Sequence, residues 1–276
     1  GKATGTGDQT VITQVEVPNN YGIESGLYGS NEQKLGDHFT IKYGLRFSLF
    51  QNIGPGTVFH YNDQYAATDS SNYKAGIIYN TYYGIEPRLG ILWDFNARHS
   101  VKASYARTNQ YLQLAQNSTI GTPLDIWFAA SPNVKPQLAD QVALGYFRNF
   151  RRNTIETSVE VYYKWMQHVI DFKDFANLIL NNKLEGEIRS GKAWSYGIEF
   201  LVRLNEERLN GWISYTWSRT FRQIPEINNG LAYPAPYDKP NNVSVVANYT
   251  ISPRWSVGAT WVYATGAPVT FPTGRA

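Results

Sequence analysis

The chain has 276 residues, a formal net charge of +3, a mean hydropathy of −0.39 and no cysteine. So small a charge, with no basic run beyond Arg151-Arg152, argues against a nucleic-acid partner. The missing thiols leave neither a disulfide framework nor a thiolate zinc site. There is no run of about 18 apolar residues, which excludes a transmembrane helix but not a transmembrane barrel, whose strands need only every second residue apolar. Aromatics make up 15%, with 20 Tyr and 8 Trp against one Met, an ample supply for interfacial girdles.

The opening GKATGTGD has no charged segment leading into an apolar one, so it does not read as a signal peptide. No helix pattern follows it, so its glycines read as loop rather than as a phosphate cradle. From there the period-2 pattern predicts ten strands, near 21–33, 38–50, 82–95, 99–109, 140–150, 154–167, 192–205, 210–221, 241–251 and 254–265. The connections alternate in length. KLGD, NARH, FRRN, NEERLN and SPR are tight turns, whereas the segments near 51–81, 110–139, 168–191 and 222–240 are long. Loops beyond about 12–15 residues are uncommon in compact soluble domains. Short turns at one end and long loops at the other are the pattern of an outer-membrane barrel, with the turns periplasmic and the loops extracellular.

Parity sharpens the reading, because successive strand side chains point to opposite faces. In TIETSVEVYYKW, Ile155, Val159, Val161, Tyr163 and Trp165 oppose Glu156, Ser158, Glu160 and Lys164. In FTIKYGLRFSLF, Phe39, Ile41, Tyr43, Leu45 and Phe47 oppose Lys42 and Arg46. SVKASYART, YGIEFLVR, YGIEPRLGILWD and NGWISYTWSRT divide the same way, so nearly every mid-strand charge falls on one face. A soluble antiparallel sandwich also alternates. Strand length, one-sided loops and aromatics near strand ends favour the barrel. Trp93, Phe95, Tyr146, Phe150 and Trp255 lie near the turns; Tyr105, Trp165, Trp217, Trp261 and Tyr263 lie toward the loops. The fold expected is therefore all-β, a transmembrane antiparallel barrel wall with its aromatics toward lipid.

Several stretches are specific beyond alternation: SGLYGSNEQKLGDHFTIKYGLRFS (25–48), GIEPRLGILWDF (84–95), HSVKASYARTNQYLQLAQNST (99–119), PNVKPQLADQVALGYFRNF (132–150) and WVYATGAPVTFPTGR (261–275). In family order and over nearly the whole chain from Tyr21, they resemble the barrel of TonB-dependent outer-membrane receptors, in the branch that often carries a carboxypeptidase-regulatory-like domain. The resemblance implies the C-terminal part of a barrel of 22 strands when complete, the number of plugged outer-membrane transporters. It also implies a plug domain and a TonB box ahead of the barrel, neither visible here. Residues 1–20 are then expected to be a loop or the remnant of a preceding strand, and 21–276 a partial barrel of a longer receptor. The partners implied are a TonB-type energy-coupling protein, outer-membrane lipids and, in some relatives, a lid lipoprotein. The function implied is import of a scarce solute; a passive, structural or adhesive barrel without a plug is the alternative.

No catalytic residue, metal site or cofactor is expected. His38 and His99 flank short turns, and His60 and His168 stand in or beside long loops. No G-x-S-x-G elbow or clustered metal-ligand spacing occurs. Glu156 and Glu160 share one face of a strand but read as lumenal charge beside Lys164 rather than a glycosidase pair. Ligand contact is expected from loop aromatics, namely Tyr111, Trp127 and Phe128 in one loop and Tyr233 and Tyr237 in another. The competing reading is that they pack the loops together. In KDFANLILNNKLEGE (173–187), the apolar cluster FANLIL is expected to form a short helix, a lid-lipoprotein contact or packing within the loop.

Overall fold

The structure is a computed structural model that describes residues 2–3, 15–16, 20–115, 126–178 and 181–268. The expectation for 1–20 falls almost wholly outside these residues; within it, Lys2–Ala3 pairs antiparallel with Val15–Glu16. Ten long strands follow: β1 Tyr21–Leu35, β2 Phe39–Ile53, β3 Ile78–Asn96, β4 His99–Gln110 and β5 Gln137–Phe150, then β6 Ile155–Phe172, β7 Ile188–Asn205, β8 Leu209–Gln223, β9 Asn241–Ser252 and β10 Trp255–Ala264. They form one open antiparallel sheet in sequence order, a meander with β1 and β10 at its edges. All ten predicted strands are present. Several run further toward the loops than the sequence pattern reached, β6 to Phe172 and β7 from Ile188, because these two continue pairing above the apolar segment.

The turns follow local chemistry. Gly36 takes φ +66 between β1 and β2, a left-handed backbone that glycine adopts without a Cβ clash. Between β5 and β6, Arg151, Arg152 and Asn153 adopt φ +48, +55 and +69 with no glycine to ease them, so the adjoining ladder holds this turn. Each interior strand pairs on both sides, which satisfies its backbone N–H and C=O groups, as hydrocarbon would demand.

The two faces differ as the parity predicted. Phe39, Leu45, Phe47, Ile85, Leu89, Leu144, Val161, Val202 and Ile213 are exposed together on the apolar face. Aromatic pairs lie at both ends of that face. Near the turns, Phe39 stacks on Trp93 at 5.6 Å and Trp93 meets Phe95 at 4.0 Å. Toward the loops, Tyr163, Trp165, Tyr196 and Trp217 run ring to ring at 5.9–6.3 Å. Aromatic rings at both ends of an exposed apolar band match the girdles of an outer-membrane wall.

The charge segregation has exceptions that the sequence reading passed over: Arg219 shares the apolar face with Tyr215 and Trp217 and donates to Asp238 at 3.0 Å, and a cross-strand ion pair stands on the same face. Arg107 and Asp140 are opposite one another on the apolar face, in register with Trp165. Asp140 accepts Arg107 Nε at 2.7 Å, Arg107 Nη2 at 3.1 Å and the Tyr105 hydroxyl at 2.6 Å. The pair is neutral, bidentate and level with the upper aromatic belt, where a lipid-facing charge costs only about 0–1 kcal/mol.

The long loops carry structure of their own. Gly56–Tyr61 and Ala67–Tyr73 form a hairpin, Leu112–Ala115 pairs with Ile126–Ala129, and Tyr233–Pro234 adds a short strand to β8. Residues 173–178, which hold the first part of FANLIL, form no helix; a 3-10 turn stands later, at Leu184–Glu187. Ala176 and Leu178 pack against a cluster of Ala115, Phe128, Val134, Ile170, Phe172 and Ile188, while Phe175 projects into solvent.

Candidate functional site

The four loop segments are bonded to each other above the polar face. Glu185 accepts the Ser131 hydroxyl at 2.7 Å and the Asn133 amide at 2.6 Å, and Asn133 also donates to the Phe59 carbonyl at 2.9 Å. Arg189 is buried and joins three segments. Its Nε meets Glu226 at 2.6 Å, its Nη1 donates to the Gly186 and Ile188 carbonyls, and its guanidinium lies 3.5 Å from the centre of the Tyr65 ring. Asp171 accepts Arg222 Nη1 at 2.9 Å and the Tyr233 hydroxyl at 2.8 Å.

A bulge makes this last contact possible. Asp171 has the same parity as Val161 and Trp165, so an unbroken β6 would point it to the apolar face. His168 is an extra residue in the ladder, with φ +58, between Gln167 and Val169. It moves Val169 and Asp171 to the polar face, where Arg189 and Arg222 stand. His168 Nδ1 lies 3.0 Å from the Pro136 carbonyl, tying the bulge to the start of β5.

The five candidate aromatics fall in different settings. Tyr111 is 3% exposed, stacks on Phe50 at 5.1 Å and puts its hydroxyl 2.8 Å from Ser48, which donates to Glu86 at 2.8 Å. Gly84 leaves room for this cluster, since a methyl there would collide with Ser48 and Tyr111. Phe128 is 6% exposed within the apolar cluster under its hairpin, whereas Trp127, its neighbour, is 60% exposed. Tyr233 is engaged by Asp171, and Tyr237 is half-exposed with Arg222 5.5 Å from its ring centre. Sequence reasoning missed Arg189, Arg222, Asp171 and Glu185 as loop anchors. All four look like ordinary surface charges until distant loops are brought together.

Each histidine has a local partner. His38 contacts the Asp94 carbonyl at 2.8 Å, His99 the Tyr146 hydroxyl at 2.7 Å and His60 the Ser71 hydroxyl at 2.8 Å. Among the described residues, no group of three or more His, Asp or Glu is gathered as metal ligands.

Burial, reinforced by Glu185, pushes the Tyr61 phenol up to about 12, and burial followed by Asp171 raises Tyr233 further. A phenol raised above its unfolded value of about 10 contributes stability that is complete below pH 10 and is lost as pH rises through about 12. Phenolate absorbance is therefore expected to show one group ionising near 12 in the folded protein and missing from Tyr61→Phe. Ionisation of that group near 10 would contradict the loop packing.

An exposed apolar band between aromatic belts, backed by a polar face and capped by long loops, defines the wall of a transmembrane β-barrel. The family described as "TonB dependent receptor-like, beta-barrel" matches residues 3–274, and the chain belongs to it, an outer-membrane receptor family of Gram-negative bacteria. Among solved structures, the siderophore receptor PiuA from Acinetobacter baumannii is similar at 15% identity and a TM-score of 0.60, over 88% of this chain and 33% of its own. The ferric-catecholate import receptor Fiu from E. coli K12 is similar at 15% and 0.58, over 87% and 34%. The alcaligin outer-membrane receptor FauA from Bordetella pertussis is similar at 15% and 0.56, over 88% and 37%. At these identities the likeness shows the fold, and the chain spans about a third of the length of these structures. No curated protein matches the sequence.

Proposed function

We propose that this chain is the loop-bearing part of the wall of an energy-coupled importer that takes up a scarce solute across the outer membrane. The family match over residues 3–274 carries the reading. The remainder of the barrel, a plug domain and a TonB box belong to the longer receptor, with residues 21–276 contributing ten strands. The interlocked loops and upper polar face capture the solute, and binding passes through the plug to the TonB box. Of the five loop aromatics, Trp127 and Tyr237 present open rings for solute contact, while Tyr111, Phe128 and Tyr233 hold the loops in place. The exposed Phe175 is the proposed contact for a lid lipoprotein.

Two measurements test this. The native protein extracted from outer membranes is expected to have a mass about three times 31.3 kDa, with plug peptides upstream of this sequence. Cells carrying the receptor are expected to accumulate its solute only while the inner-membrane coupling protein is present. Accumulation that persists without that protein would establish a passive or structural barrel instead.

A further inference from the structure

We propose that the turn end of β4–β6 binds the phosphate headgroup of an anionic phospholipid from the periplasmic leaflet, on the side of the wall that faces lipid. The central residue is Arg148. It shares its parity with Leu144, Tyr146 and Phe150, so it lies on the apolar face, and it is exposed there. Tyr146 precedes it and Phe150 follows it on that face, which puts the guanidinium inside the turn-side aromatic girdle, at the depth of lipid headgroups. The guanidinium carbon is 4.3 Å from the centre of the Phe150 ring, and the Thr157 hydroxyl donates to the Arg148 carbonyl at 2.9 Å. Side chain and backbone are both held in place.

The loop end of the same face treats its cations differently. There Arg107 is matched by Asp140 at 2.7 Å and Arg219 by Asp238 at 3.0 Å. Arg148 makes no ion pair among the described residues, and its cross-strand neighbours are His99 and Thr157. Three more exposed arginines stand close by in the chain and the ladder. Arg98 accepts the Asn149 N–H on its carbonyl at 2.9 Å, and Arg151 and Arg152 form the turn after Phe150. These two occupy left-handed positions that Gly or Asn would fill with less strain, which points to a use for their charge. No Asp or Glu occurs in 95–104 or 141–155. The nearest in sequence, Asp94 and Glu156, have polar-face parity, and Glu156 is engaged by Arg203.

A guanidinium on a lipid-facing wall needs a counter-ion, and here the protein supplies none. The anion that a membrane offers at this depth is a phosphodiester, whose oxygens accept two parallel N–H bonds from one guanidinium. His99 adds a second donor beside it. Its Nδ1 lies 2.7 Å from the Tyr146 hydroxyl, and when that hydroxyl donates, the ring hydrogen is on Nε2 and available to an oxygen acceptor. Four arginines without a carboxylate favour a lipid of net negative charge over a zwitterionic one, whose ammonium they repel. Cell-wall peptidoglycan also carries carboxylates, but it lies beyond the turns, whereas Arg148 stands above them between two girdle rings.

The test uses the full-length receptor, purified from outer membranes, stripped of lipid in detergent and mixed with equal amounts of dioleoyl phosphatidylglycerol and dioleoyl phosphatidylcholine. Native mass spectrometry counts the lipids retained. Phosphatidylglycerol is expected to be retained about tenfold over phosphatidylcholine, and Arg148→Gln to lower that ratio about fivefold, the worth of one arginine beside a charged leaflet. Adding Arg151→Gln and Arg152→Gln is expected to abolish the preference, whereas Arg254→Gln, on the turn between β9 and β10, is expected to leave it unchanged. The heat-modifiable gel mobility of each variant reports its folding independently of lipid. The proposal is overturned if the two lipids are retained equally, if folded Arg148→Gln keeps the full preference, or if Arg254→Gln lowers it as much. Co-sedimentation with purified peptidoglycan that the triple variant loses, without any lipid preference, would assign the patch to the cell wall instead. None of these readouts involves uptake, so failure of the import reading would leave the site standing.

Discussion

Replacing Asp171 by Ala is expected to destabilise the loop end of the wall by about 3–5 kcal/mol, the usual cost of removing one partner from a buried ion pair. The change leaves Arg222 buried with its Nη1 unpaired, and the Nε of the same side chain already has no partner. It also strips the hydrogen bond from the Tyr233 hydroxyl, freeing the segment that adds Tyr233–Pro234 to β8. Hydrogen exchange on the full-length receptor is expected to accelerate at 169–172, 188–191 and 220–238 while the turn-side halves of the strands stay protected. Asp171→Asn keeps an acceptor for both donors and is expected to show a smaller version of the same change. Unaltered exchange in all three segments of the Ala variant would mean that the carboxylate does not join them.

Val161→Arg is expected to cost about 2–4 kcal/mol of folding stability in lipid vesicles, the penalty for a cation at the lipid-facing midplane. Val161 is in the middle of β6, in register with Leu144 and Ile198 on the exposed apolar face. Its neighbour Glu160 faces Glu199 directly across the pair on the polar side. Glu160→Lys replaces a like-charge pair with an attractive one and is expected to be neutral or stabilising by about 0.2–1 kcal/mol. A third variant separates lipid from a packed core. Val161→Phe enlarges a side chain that meets only acyl chains and is expected to fold normally. In a soluble sandwich the same enlargement would overpack the core at about 1–3 kcal/mol. Urea titration of vesicle-folded protein reads all three, and a destabilised Val161→Phe would remove the lipid-facing assignment.

The sequence carried the strands because a strand's signal is local. TIETSVEVYYKW shows its two faces to anyone who counts by two, and KLGD or FRRN shows where the chain reverses. Extension beyond those limits was not local. Ile188–Lys192 has no clear alternation, and β7 begins there only because the extended β6 offers it a partner. The loop aromatics were visible as candidates, but not which rings stay open. Trp127 and Phe128 are adjacent in sequence and opposite in exposure, since the Leu112–Ala115 hairpin turns one onto the apolar cluster and the other to solvent.

By itself, then, the sequence determined the class of the molecule: ten long antiparallel strands, one apolar face, one polar face, short turns at one end and loops at the other. Those properties follow from side-chain alternation and turn chemistry, which act over a few residues. Only the tertiary structure decided what the loop end does with its charges. One extra residue at His168 reverses the parity of β6 and brings Asp171 to Arg222, while Arg189 gathers Tyr65 and Glu226 from loops far apart in the chain. Such contacts depend on register and distance across the sheet, and no periodicity within a single strand encodes them.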